Sequence, residues 1–107
     1  MATSPSERFD LVTMNKVLEH VRDPIAFLAR ARDWLAPDGL VYLEVPDGEA
    51  ALRESPEREE FFVEHRCAFS AASTAQLIRR SGYLLLRLDR IREPSTKYTL
   101  AAFICAE

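Results

Sequence analysis

Apolar positions along the chain alternate between short dense runs and helically spaced stretches, and this pattern predicts the order of elements. Phe9, Leu11, Val12 and Met14 form a nearly continuous run, the pattern of a strand buried on both faces as in a parallel sheet. "DPIAFLARARDWLAPDG" then changes period. Ile25, Leu28, Ala31 and Leu35 fall on one helical stripe, Asp23 is placed to cap the start, and Pro24 suits the first helical position because its missing N–H has no partner there. Pro37 and Gly39 are expected to end this helix, with Gly39 in a left-handed C-terminal turn.

"LVYLEVPD", Leu40 to Asp47, is a second buried strand rich in β-formers and closed by Pro46 and the Asp47-Gly48 turn signal. Residues 48 to 63 carry Glu49, Arg53, Glu54, Glu57, Arg58, Glu59 and Glu60 without a sustained apolar face, and read as a mobile, partly helical excursion over a site mouth. "FSAASTAQLIRRSG" is a second helix, with Ser70 as N-cap, Leu77 and Ile78 facing inward and Gly82 as the stop. "YLLLRLDRI" and "TKYTLAAFICAE" are strands joined by "REPS", which predicts an antiparallel hairpin.

Composition narrows the class. With 107 residues and 48% apolar content the chain makes one soluble domain, expected over 9–107 with residues 1–8 frayed. Its net charge of −3 argues against a nucleic-acid or membrane-surface binder, which would carry a basic excess. Arg79, Arg80, Arg87, Arg90 and Arg92 make the C-terminal third locally basic, but they interleave with core-type residues and read as solvated faces. No apolar stretch is long enough for a membrane span and the start is unlike a secretory signal, so a cytoplasmic location is expected. Cys67 and Cys105 match no metal-ligand spacing, the two histidines form no H-x-x-x-H pair, and no metal is expected.

The chain resembles the C-terminal half of a class I S-adenosylmethionine-dependent methyltransferase of the small-molecule branch. "FDLVTMNKVLEHVRDPIAFLARARDWLAPDGLVYLEVPD" is similar to that family's fourth strand, fourth helix and fifth strand, including the "LEHV" corner, the "D-P" helix start and the "L-x-P-x-G" helix end. "EHRCAFSAASTAQLIRRSGY" is similar to its "E-H-x-x-x-F-S" segment and following helix. The resemblance implies an α/β fold: a partial doubly wound, Rossmann-like sheet, mostly parallel, closed by a C-terminal antiparallel hairpin and lacking the N-terminal βαβαβ half. It implies S-adenosylmethionine as cofactor and a small molecule as methyl acceptor. The family's Gly-rich cofactor turn has no counterpart, since Gly39, Gly48 and Gly82 are far apart, so weak or no cofactor binding is expected of this chain alone.

Ligands of doubly wound sheets sit at the carboxyl ends of the strands. The resemblance therefore places Met14, Asn15 and Lys16 beside the cofactor's methionine end. Asn15 equally suits a simple strand terminus. Glu19 and His20 look like an acid–base pair, but neighbours on a helical turn point about 100° apart, and a structural corner is the reading preferred. Glu64 and His65, after the excursion, are the catalytic candidates. A neutral imidazole with an ordinary pKa near 6.5 suits a general base, and a loop-anchoring histidine is the alternative. Trp34 and Tyr98 read as packing residues. Two functions remain open: half of a methyltransferase, inactive alone, or a non-catalytic interaction module. Both predict assembly, with a missing N-terminal half or a second copy on the Phe9–Met14 edge.

Overall fold

The structure, a computed structural model, describes residues 7–48, 69–94 and 98–107. Its chain order is β1 (Phe9–Asn15), a 3-10 turn (Leu18–His20), α1 (Pro24–Arg30), a second 3-10 turn (Ala31–Trp34), β2 (Leu35–Pro46), α2 (Ala71–Arg80), β3 (Tyr83–Arg92) and β4 (Tyr98–Ala106). The four strands form one sheet in the order β1-β2-β4-β3. β1 and β2 are parallel, with Leu11 opposite Leu40 and Asn15 opposite Glu44. β4 lies antiparallel between β2 and β3, so the predicted hairpin is present and its second strand is central. Three strands share one direction, although the β1–β2 ladder is the sheet's parallel pairing.

Local chemistry accounts for most boundaries. The Asp23 carboxylate accepts from the Ala26 N–H at 3.1 Å, satisfying one of the donors that a helix start leaves free. Ser70 and Ser73 make a reciprocal capping box at the start of α2. Gly82 ends α2 with φ of 90°, a conformation that a Cβ would strain. The first helix stops earlier than its apolar stripe suggests: α-helix ends at Arg30, a 3-10 turn carries the chain to Trp34, and Leu35 already belongs to β2. Pro37 explains this, because its ring disfavours α geometry at residue 36 and clashes with the carbonyl four residues back. Gly39 is not left-handed as expected. A Cβ there would lie 2.8 Å from the Phe9 carbonyl oxygen, so glycine is required by the close approach of β1 to β2 beside the register shift.

The helices and one face of the sheet enclose a single core. Val41, Leu43 and Val45 of β2, and Leu100, Ala102 and Ile104 of β4, pack with Leu18, Leu28, Leu77, Ile78 and Tyr83. The Tyr83 hydroxyl crosses this core and donates to the Leu28 carbonyl at 2.7 Å, joining β3 to α1. Among the described residues no helix packs on the opposite face, where the Tyr42 and Phe103 rings lie 4.9 Å apart. β1 is accordingly not buried on both faces. Met14 is buried and Val12 packs against the core, but Leu11 is 51% and Phe9 42% exposed. Its apolar run reflects an edge strand, with Phe9 stacked on Trp34 at 6.2 Å.

Two phenols report on the two faces. Burial raises the Tyr83 pKa to about 12, with nearby Arg32 opposing. The hydrogen bond to Glu44 at 2.5 Å, then burial, raises Tyr42 to about 12. A folded pKa above the unfolded value near 10 stabilises fully below pH 10, and that stabilisation is lost as pH rises through 12. Tyr83→Phe should cost about 1 kcal/mol in urea unfolding at neutral pH, with the gap to the parent narrowing above pH 10; equal stability at neutral pH would assign no net value to the bond. Ultraviolet titration should show Tyr42 ionising near 12 and returning toward 10 in Glu44→Gln, and an unmoved titration would mean that Glu44 does not hold the proton.

Candidate functional site

Because β1, β2 and β3 run in one direction, their carboxyl ends share one edge of the sheet, and the start of antiparallel β4 joins them there. That edge collects Asn15 and Lys16 after β1, Asp47 after β2, Glu93 after β3 and Tyr98 at the start of β4. Met14 is buried on the helix side of the sheet, while Asn15 is exposed. Lys16 has φ of 60°, left-handed geometry that costs a residue with a Cβ about 1–2 kcal/mol. Its N–H donates to the Glu44 carbonyl at 2.9 Å, which extends the β1–β2 ladder by one rung and turns the chain.

The Lys16 side chain then reaches across the edge, its Nζ lying 3.4 Å from Glu93 Oε2. β1 and β3 are the two outer strands, three inter-strand steps and so roughly 14 Å apart. The ion pair therefore spans the tops of β2 and β4. At the same end of the sheet Asp47, buried, pairs with Arg90. Arg90 is thus no merely solvated cation as its sequence context suggests, and this ion pair had no local sequence signal because the partners are 43 positions apart. Arg92 lies 5.9 Å from the centre of the Tyr98 ring, so Tyr98 packs under a cation as well as against its neighbours.

The segment of residues 49–68, which holds the candidates Glu64 and His65, lies outside the described residues, and so does Cys67. Its two flanks are described and meet at the same edge. Asp47 bridges to Phe69, and the Gly48 N–H donates to the Phe69 carbonyl at 2.7 Å. Glu19 occupies the corner after Lys16, 1% exposed, with Oε2 3.7 Å from His20 Nε2. That separation is too long for a hydrogen bond. Glu19 Oε1 is buried without a hydrogen-bond partner, and the backbone of the corner is tied by the His20 N–H to the Val17 carbonyl at 3.0 Å.

None of the glycines among the described residues makes a cradle for a nucleoside cofactor. Gly39 is filled by the Phe9 carbonyl, a Cβ on Gly82 would meet the Arg32 guanidinium, and the Gly48 N–H is taken by Phe69. Met14, Asn15 and Lys16 lie together at the carboxyl end of β1, as the sequence placed them. No helix among them is long and apolar enough to cross a membrane, and no group of three metal-ligating side chains occurs among them.

A methyltransferase-domain family matches residues 1–88. Ubiquinone biosynthesis O-methyltransferase of Cereibacter sphaeroides is 51% identical over 35 residues, 33% of this chain and 14% of that protein. Among solved structures, 1,6-didemethyltoxoflavin-N1-methyltransferase of Burkholderia thailandensis, with bound 1,6-didemethyltoxoflavin and S-adenosylhomocysteine, superposes with a TM-score of 0.74 at 19% identity, covering 98% of this chain and 47% of that one. The glycopeptide N-methyltransferase MtfA gives a TM-score of 0.71 at 16% identity, covering 99% and 58%. The chain thus spans about half the length of these two structures, and at such identities the likeness establishes the fold. The fold class read from the sequence is borne out: by its fold and by a match across most of its length, the chain belongs to the methyltransferase-domain family, with the partial Rossmann-like sheet of the S-adenosylmethionine-dependent enzymes.

Proposed function

We propose that this chain is the acceptor-side half of an S-adenosylmethionine-dependent methyltransferase for a small molecule, inactive until a further portion supplies the glycine turn. One observation carries the reading: β1 is an outer strand with exposed apolar side chains, and its carboxyl end carries the strained Lys16 where a doubly wound sheet binds ligand. Strain of this kind points to a site when the surrounding ladder fixes it, as the Lys16 N–H does here. The names of the relatives, a ubiquinone biosynthesis O-methyltransferase and a 1,6-didemethyltoxoflavin-N1-methyltransferase, support a small acceptor.

In this reading Met14, Asn15 and Lys16 border the cofactor's methionine end. When bound, the cofactor supplies a methyl group on a sulfonium, a good leaving group. The protein's share is to hold the acceptor in line, exclude water and take up the acceptor's proton. His65, with Glu64 beside it, is assigned that proton in its neutral form, and the protein is placed in the cytoplasm. Calorimetry should detect negligible S-adenosylmethionine binding by the 107-residue chain and binding restored by an N-terminal half added in trans. In the reconstituted enzyme His65→Ala should lower turnover about 10²-fold or more and leave cofactor affinity nearly unchanged. Tight binding by the chain alone would sink the reading of an absent cradle, and unchanged turnover would return His65 to loop anchoring.

A second reading, a non-catalytic module that assembles through its edge, is favoured by the same exposed Phe9 and Leu11 on a strand paired on one side. Both readings predict self-association of the isolated chain. Sedimentation velocity over a concentration series should show a growing dimer fraction, reduced in Leu11→Lys. A monomer across the whole series would exclude β1 as an assembly edge.

A further inference from the structure

The reading of the strand ends as a ligand site leaves the Lys16–Glu93 pair unexplained. As a structural bond it is weak. Both side chains are about one third exposed (33% and 32%), and their 3.4 Å separation exceeds the 2.7–2.9 Å usual for a charge-assisted hydrogen bond. An exposed pair of this kind contributes about 0–1 kcal/mol, less than the 1–2 kcal/mol that the left-handed Lys16 backbone costs. Stability therefore does not account for a lysine at this position. The cation and its location do: the ammonium is carried over the carboxyl ends of β2 and β4, in the crevice that receives ligands in sheets of this type.

The other cations at this edge are engaged differently. Arg90 is committed to buried Asp47, and Arg92 lies over the Tyr98 ring. Lys16 is paired with a carboxylate that is about one third exposed, 32%, and held on the segment just after β3, so releasing it costs little. We propose that Lys16 is an anion anchor: its ammonium binds a carboxylate of the ligand, and Glu93 holds that place when no ligand is bound. The inference deepens the proposed function by assigning the ligand class, a molecule bearing a carboxylate. A carboxylate already occupies the position, which fixes the size and charge of the group accepted. Two sources share this chemistry, the methionine carboxylate of the cofactor and a carboxylate on the acceptor.

Opposite responses to two substitutions test the proposal on the full chain, without activity. Benzoate is titrated into the labelled protein and amide shifts at residues 15–17 are followed by NMR. The parent should show weak saturable binding. Glu93→Gln should tighten it severalfold by removing the competing carboxylate, Lys16→Gln should abolish saturation, and Lys16→Arg should retain it. A merely structural ion pair gives both neutralising variants the same response, and that result, or no saturable benzoate shift in Glu93→Gln, overturns the anchor. S-adenosylhomocysteine is then added as competitor. This competition is run on the chain with the N-terminal half supplied in trans, where cofactor binding is expected; displacement of benzoate there assigns the carboxylate to the cofactor and its persistence assigns it to the acceptor, and either result supports the anchor. Because benzoate binding needs neither the cofactor cradle nor turnover, the anchor fails independently of the methyltransferase reading, which rests on the reconstitution.

Discussion

The parallel ladder between β1 and β2 is the constraint on which the rest of the molecule depends. It aligns Leu11 to Asn15 with Leu40 to Glu44, and its last rung, the Lys16 N–H to the Glu44 carbonyl, sets where the chain leaves the sheet. At the other end of the ladder Gly39 lets the two backbones meet at the Phe9 carbonyl. Slipping a strand by one residue would exchange its faces, moving Val12 and Met14 out of the core and Leu11 and Thr13 into it. Register thus couples the core directly to the position of the candidate site.

The second organising feature is the one-sided core. α1 and α2 join the same apolar cluster, and the Tyr83 hydroxyl ties β3 to α1 beneath them. The other face offers Tyr42, Phe103 and Leu11 with no helix over them among the described residues. Such a face and such an edge are apolar surface still in contact with water, and burying them is favourable in proportion to their area. Assembly with a further portion or a second copy therefore has a physical drive.

Charge is concentrated where the strands end. Arg90 and Asp47 form the inner pair, buried on the carboxylate side; Lys16 and Glu93 form the outer, solvent-reaching pair. The inner pair is costly to break because it would leave a buried charge uncompensated, whereas the outer pair is not. Asp47 also bridges to Phe69, so the inner pair braces the flanks of the segment that carries Glu64 and His65. A firm buried pair beside a replaceable, solvent-reaching pair is an arrangement suited to exchanging one anion for another.

The sequence by itself determined the strand and helix order, the caps at Asp23 and Ser70, the stop at Gly82 and the family, because each is written in residues close together along the chain. It also located Met14, Asn15 and Lys16 at a strand end, where the structure finds them. It misjudged β1 as buried on both faces, since an apolar run reads alike at an open edge and in a sheet centre. It extended the first helix too far, because Leu35 keeps the helical stripe while Pro37 has already turned the backbone to strand. The tertiary structure alone decided the left-handed turn at Lys16, its reach to Glu93 and the pairing of Arg90 with buried Asp47. These contacts join residues 43 and 77 positions apart, and such contacts follow from strand order, which no local spacing encodes.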